Sequence, residues 1–71
     1  MAREYLISWR RQRNESQQDV ADSVGVSRQY YAMIEDGSRQ KKMDVTLLTA
    51  LARHFDVSAA EIVEMETGGA S

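Results

Sequence analysis

Between two stretches of helical spacing lie only three residues, Gly25-Val26-Ser27. No other feature constrains the fold as tightly. Glycine enters the left-handed conformation that ends a helix at little steric cost. Serine carries the side-chain oxygen that starts the next one. A three-residue turn of this kind sets two helices at a steep angle. Upstream, Ser16 has the form of an N-cap, and Asp19 in the first turn can accept from orphan amides and favours the positive helix end. Val20, Ala21 and Val24 make that helix's apolar face. Downstream, Ser27 caps a helix that runs to Asp36-Gly37, with Val26 before it as a hydrophobic staple. In that helix Tyr31 and Ile34 face one way, and Arg28, Gln29, Ala32 and Met33 fall toward the other. A methionine therefore sits on a face that should be wet.

The same periodicity organises the rest. Tyr5, Leu6, Trp9 and Arg13 predict a first helix over Arg3–Arg13, broken by Asn14-Glu15. Asp44 caps a fourth helix whose buried face is Leu47, Leu48, Leu51, Ala52 and Phe55. Ser58-Ala59-Ala60-Glu61 has the full capping-box pattern and opens a fifth helix carrying Ile62, Val63 and Met65. Strand signals are poor, and there is no proline. The expectation is an all-α, compact five-helix domain over residues 1–67, with a flexible tail at 68–71.

Composition bounds the function. A 71-residue chain makes one small domain, and such a domain buries only about 60% of its unfolded surface. With no cysteine there is no disulfide framework or thiolate metal site, and the lone His54 makes a multi-histidine metal site impossible within one chain. No apolar run approaches the roughly 20 residues that span a bilayer, and the first ten residues do not form a secretory signal. A cytoplasmic location is expected, with no membrane, metal, cofactor or small-molecule ligand. No nucleophile–base pair, metal cluster or phosphate loop is visible, so an enzyme is not expected. His54, among hydrophobes on the fourth helix, reads as a surface or boundary residue.

Net charge is −2 and the isoelectric point about 5.2, which taken whole argues mildly against a nucleic-acid partner. The distribution argues the other way. Residues 1–42 hold eight Lys and Arg against six acids, for +2, while residues 43–71 hold one Arg and five acids, for −4. A polyanion responds to the local face rather than to the sum.

Ser16-Gln17, Val20-Ala21, Gly25-Val26-Ser27 and Ile34-Glu35-Asp36-Gly37 stand at spacings that resemble the helix-turn-helix of the Cro/CI repressor family, also called the XRE family. Leu51-Ala52-Arg53-His54-Phe55-Asp56-Val57-Ser58 resembles its continuation, and the likeness covers about residues 5–65. It implies a lambda-repressor-like fold that binds double-stranded DNA. The second helix would cross the backbone and the third would lie in the major groove.

Carried over by position, the resemblance places base reading on Arg28, Gln29, Ala32 and Met33. Arg28 can donate twice to a guanine, Gln29 can pair with an adenine, and Ala32 and Met33 can pack on thymine methyls. A phosphate contact suits Arg28 equally, and a partner contact suits Met33. The backbone set is Gln17, Ser27, Tyr30 and the basic loop cations Arg39, Lys41 and Lys42. For Tyr30 a phosphate hydrogen bond and simple cover of the helix edge both fit. The resemblance also implies a structural pair, Arg10 with Glu35, rather than a glutamate aimed at DNA. Three departures stand out: Glu15 where an apolar residue is usual, Tyr31 where Ile or Val is usual, and Lys42-Met43 in place of a proline.

A transcriptional regulator, in particular a repressor, follows from the resemblance. Contacts worth about 1–3 kcal/mol each cannot single out one genomic site from one short helix. A homodimer on a palindrome solves this, through the C-terminal helices at Ile62, Val63 and Met65; the alternative is a monomer that pairs only on DNA. Two other classes compete: an antitoxin-like protein that also holds a toxin, and a protein-interaction module that kept the fold but lost DNA.

Overall fold

Side-chain oxygens decide where four of the helices begin. In the computed structural model, which describes residues 2–68, the side chains of Ser16, Ser27, Asp44 and Ser58 accept from the N–H groups of Asp19, Tyr30, Leu47 and Glu61. These caps open α2 (Gln17–Val24), α3 (Arg28–Asp36), α4 (Val45–Phe55) and α5 (Ala59–Glu66), and α1 (Glu4–Gln12) precedes them. There is no strand among the described residues. Most of the tail expected at 68–71 lies outside the described residues.

The reciprocal capping box forms at α2. The Ser16 hydroxyl accepts from Asp19 N–H at 3.1 Å, and the Asp19 carboxylate accepts from Ser16 N–H at 2.9 Å. The full box expected at Ser58 is corrected to its first half: Ser58 accepts from Glu61 N–H at 3.0 Å, but the Glu61 side chain does not accept from Ser58 N–H. α1 has no side-chain cap; it is entered through a tertiary bond, Arg3 N–H to the Glu35 carbonyl at 2.6 Å. It ends at Gln12, and Asn14 turns the chain at φ 55°. Arg13 therefore falls outside the helix and off its buried face, with a side chain 45% exposed.

The α2–α3 turn closes as the three residues require. Gly25 takes φ 81°, and the amides of Gly25 and Val26 both return to the Ala21 carbonyl at 2.9 and 3.0 Å. Two successive amides on one carbonyl stop α2 sharply. Ser27 starts α3 at once. α2 packs on α3 and α4, α1 on α3, and α5 on α4.

Every helix sends a fully buried side chain to one core: Leu6, Val20, Tyr31 and Ile34, Leu51, and Ile62. Each such apolar side chain contributes about 1.5–3 kcal/mol relative to an exposed one. Phe55 is buried with them, and Leu48 is only half-buried, against expectation, since it lies on the flank of the α4 apolar stripe. Ile62 also departs from the expected role. It has no accessible surface, so it closes the core under α5 and cannot be a dimer contact; Val63 and Met65, at 47% and 42% exposed, are the free apolar side chains of that helix. No helix among the described residues is long and apolar enough to cross a membrane.

Candidate nucleic-acid interface

α3 divides cleanly into two faces. Tyr31, Ile34 and Glu35 are buried, while Arg28 and Gln29 are exposed and Ala32 and Met33 are partly exposed. No described residue hydrogen-bonds the side chains of Arg28 or Gln29, so their donors and acceptors stand free. The helix starts at Ser27, whose oxygen is committed to the Tyr30 N–H at 3.0 Å, leaving its own O–H free to donate. The result is a short helix with a polar, unpartnered N-terminal half and two apolar side chains beside it. Those are the functional groups that read base edges and thymine methyls in a major groove.

Beneath that face lies a carboxylate. Glu35, 3% exposed, accepts from Arg10 Nε at 2.7 Å, from Arg10 Nη2 at 3.3 Å and from Gln17 Nε2 at 3.0 Å. Burial opposes its charge, but the Arg10 and Gln17 hydrogen bonds outweigh burial and hold its carboxyl below the usual range. Arg10 also donates to the Glu15 carbonyl at 3.1 Å, closing the α1–α2 corner. Three helices thus meet at one charge, and Glu35 is withdrawn from the exposed face of α3. Gln17 is half-buried and spends one amide hydrogen on this node. Burial pushes the Tyr31 hydroxyl well above a phenol's ordinary range, and the neighbouring Glu35 carboxylate adds to it; the hydroxyl lies beside that carboxylate but outside hydrogen-bond geometry.

Beyond α3 the chain runs through residues 38–43 to α4. Arg39, Lys41 and Lys42 are all exposed there. Gln40 sits between them at φ 56° and ties the loop down on both sides: its Nε2 donates to the Tyr30 hydroxyl at 2.8 Å, and its Oε1 accepts from Asp44 N–H at 3.0 Å. Tyr30 is half-buried and so anchors the loop to α3 while its O–H stays free to donate.

A family model for the helix-turn-helix matches residues 6–62 of the chain. The chain belongs to the Cro/CI-type (XRE) helix-turn-helix family. Neither the comparison with curated proteins nor the comparison with solved structures gave a match. Membership makes this a DNA-binding helix-turn-helix regulator. Its family is one of DNA-binding domains, not typically of enzymes.

The departures from the helix-turn-helix pattern have local compensations. Glu15, in place of an apolar residue, accepts from His54 Nε2 at 2.8 Å and from Arg13 Nε at 3.1 Å. His54 reaches Ser23 Oγ with its other nitrogen at 2.8 Å, so it stitches α4 to the C-terminal turn of α2 and to Glu15 ahead of that helix. Its side chain is only 9% exposed. Tyr31 fits the core without accessible surface. Met43, near the missing proline, packs against the core, and the left-handed Gln40 turns the loop instead.

Sequence reasoning did not find Arg3, Tyr5 and Glu66 as a group. Arg3, 8% exposed, pairs with Glu66 at 2.8 Å and reaches under the basic loop, and the Tyr5 hydroxyl donates to Glu66 as well. Burial raises the Tyr5 hydroxyl above its ordinary range, and the Glu66 bond adds to it. Burial also opposes charge on Glu66, but the Arg3 and Tyr5 hydrogen bonds outweigh it and hold that carboxyl low. The only signal was an arginine at the start of α1 and a glutamate at the end of α5, a separation of 63 residues with no motif to join them.

Proposed function

We propose that this regulator binds a palindromic operator as a homodimer and represses by occupying it. α3 reads the sequence. Arg28 and Gln29 make the polar base contacts, and Ala32 and Met33 pack on thymine methyls. Gln17, Ser27, Tyr30, Arg39, Lys41 and Lys42 contact the phosphates and fix the register. The observation that carries this reading is the unpartnered, exposed N-terminal half of α3, backed by a buried carboxylate node that keeps acid off the face. Two copies pair through α5, whose Val63 and Met65 are the exposed apolar side chains beside the buried Ile62. Repression needs no surface beyond the one that occupies the site.

Selection of bound duplexes from a random library tests the reading. The expected result is a two-fold motif with a guanine flanked by thymine-rich steps, in which Arg28→Ala relaxes the guanine preference by about 1–3 kcal/mol. A motif without two-fold symmetry removes the dimer. A motif unchanged in Arg28→Ala and Met33→Ala removes the assigned readers.

A further inference from the structure

The five N–H groups of the Arg3 guanidinium are all used. Nε donates to Glu66 Oε2 at 2.8 Å, Nη1 to the Ile34 carbonyl at 2.7 Å and the Arg39 carbonyl at 3.1 Å, and Nη2 to Glu66 Oε1 at 3.0 Å and the Gln40 carbonyl. One buried cation therefore grips the end of α3, two successive carbonyls of the basic loop, and the last residue of α5. The loop's other ties include the Ser38 and Arg39 amides to the Met33 carbonyl at its start and the Gln40 side chain to Tyr30 and Asp44; among the described residues, only Arg3 binds the Arg39 and Gln40 carbonyls. With the Arg39 and Gln40 carbonyls drawn inward, the Arg39, Lys41 and Lys42 side chains are left on the outer surface.

We propose that Arg3, set by Glu66, is a positioning residue for DNA: it holds the basic loop in the shape that meets the phosphate backbone and couples that shape to α5. The inference rests on the DNA-binding reading above. It assigns the two halves of recognition to separate devices. The Arg10–Glu35–Gln17 node supports the base-reading helix, and the Arg3–Glu66 node supports the phosphate-contacting loop. Because α5 carries the exposed Val63 and Met65, a partner seated there would act on the end of the same tie. A lysine cannot replace Arg3, since three donors on a point charge cannot serve five acceptor directions.

The test uses the full chain and the duplex chosen by selection, with affinity measured over a salt series. In Arg3→Lys and Glu66→Gln the loop loosens. Affinity at moderate salt falls roughly tenfold, and the slope of log affinity against log salt flattens by about one to two, as expected when one or two phosphate contacts are lost. The selected sequence motif stays that of the wild type, because the base-reading side chains are untouched; the flattened slope is the result that a merely destabilised fold would not give. Amide exchange within residues 38–43 rises while the α2 and α3 cores stay protected. If Arg3→Lys does not fold, Glu66→Gln carries the test, since it keeps the side-chain shape. Wild-type slope and affinity in Glu66→Gln overturn the coupling alone. A changed base preference with an unchanged slope overturns it also. A wild-type chain that binds no duplex overturns the DNA reading itself, and the coupling with it.

Discussion

The nodes under α3 and under the basic loop are built on the same pair of residue types, arranged in opposite ways. At Glu35 the carboxylate is the centre, and the side chains of Arg10 and Gln17 converge on it from α1 and α2. At Arg3 the guanidinium is the centre, and three of its five bonds go to backbone carbonyls. A carboxylate centre joins helices that already hold their own backbone shape. A guanidinium centre adds three backbone bonds to a segment that has no helix or strand of its own. On the proposed reading, the first supports the helix that reads bases and the second positions the loop that meets phosphates.

The comparison predicts unequal losses. The Glu35 side chain is 4% exposed and that of Arg10 14%, so Glu35→Ala leaves a largely desolvated Arg10 charge without its partner and costs about 3 kcal/mol. A 71-residue domain has little more than that to lose, and denaturant unfolding should find the variant largely unfolded at room temperature. Glu66 is 18% exposed at the end of the last helix, and the Arg3 that it leaves keeps three carbonyl acceptors, so Glu66→Ala costs less, about 2 kcal/mol. Equal losses at the two positions would mean that both nodes support the core alike, and the division of labour would fail.

These two nodes also mark how far the sequence could be read. The helices were legible because four starts use a specific side-chain oxygen, which Ser16, Ser27, Asp44 and Ser58 supply in plain view, and α2 and α3 stop on left-handed glycines, Gly25 and Gly37. The two faces of α3 followed from periodicity. Arg10 with Glu35 followed from resemblance, because a side chain held by side chains leaves both partners written in the sequence. The Arg3 node left no such trace. Its acceptors are mostly carbonyls, which every residue carries, so no residue type announces them. The same holds for Ile62: α5 is apolar at adjacent positions, and only packing against α4 decides that Ile62 goes inside while Val63 stays out.

Acid sharpens the comparison further. Glu35 and Glu66 both have carboxyls held below the ordinary 4.5 in the folded chain. The folded state therefore binds these protons less readily than the unfolded state does. Their contribution is fully present above pH 4.5 and is lost as the pH falls through the folded values. Unfolding midpoints measured from neutral pH downward should hold steady and then drop below that point. Glu66→Gln, already without the charge, should start lower and lose less. An acid loss equal to that of the wild type would leave Glu66 out of the effect.

The smallest effects belong to the two tyrosines beside the nodes, and they should have opposite signs. Tyr5 donates its hydroxyl to Glu66, so Tyr5→Phe removes a bond to a charged group and costs about 1 kcal/mol. Tyr31 lies beside Glu35 with its hydroxyl buried and unpartnered. A buried polar group without a partner keeps its desolvation cost and returns nothing, so Tyr31→Phe should be neutral or stabilise by about 1 kcal/mol. In a domain of this size that is a shift of roughly 4–8 °C in melting temperature. A drop in Tyr31→Phe of the size seen in Tyr5→Phe would mean that the Tyr31 hydroxyl does serve the Glu35 carboxylate in solution. The α3 node would then draw on its own helix as well as on its neighbours, which is the position that an Ile or Val, usual in this family, could never fill.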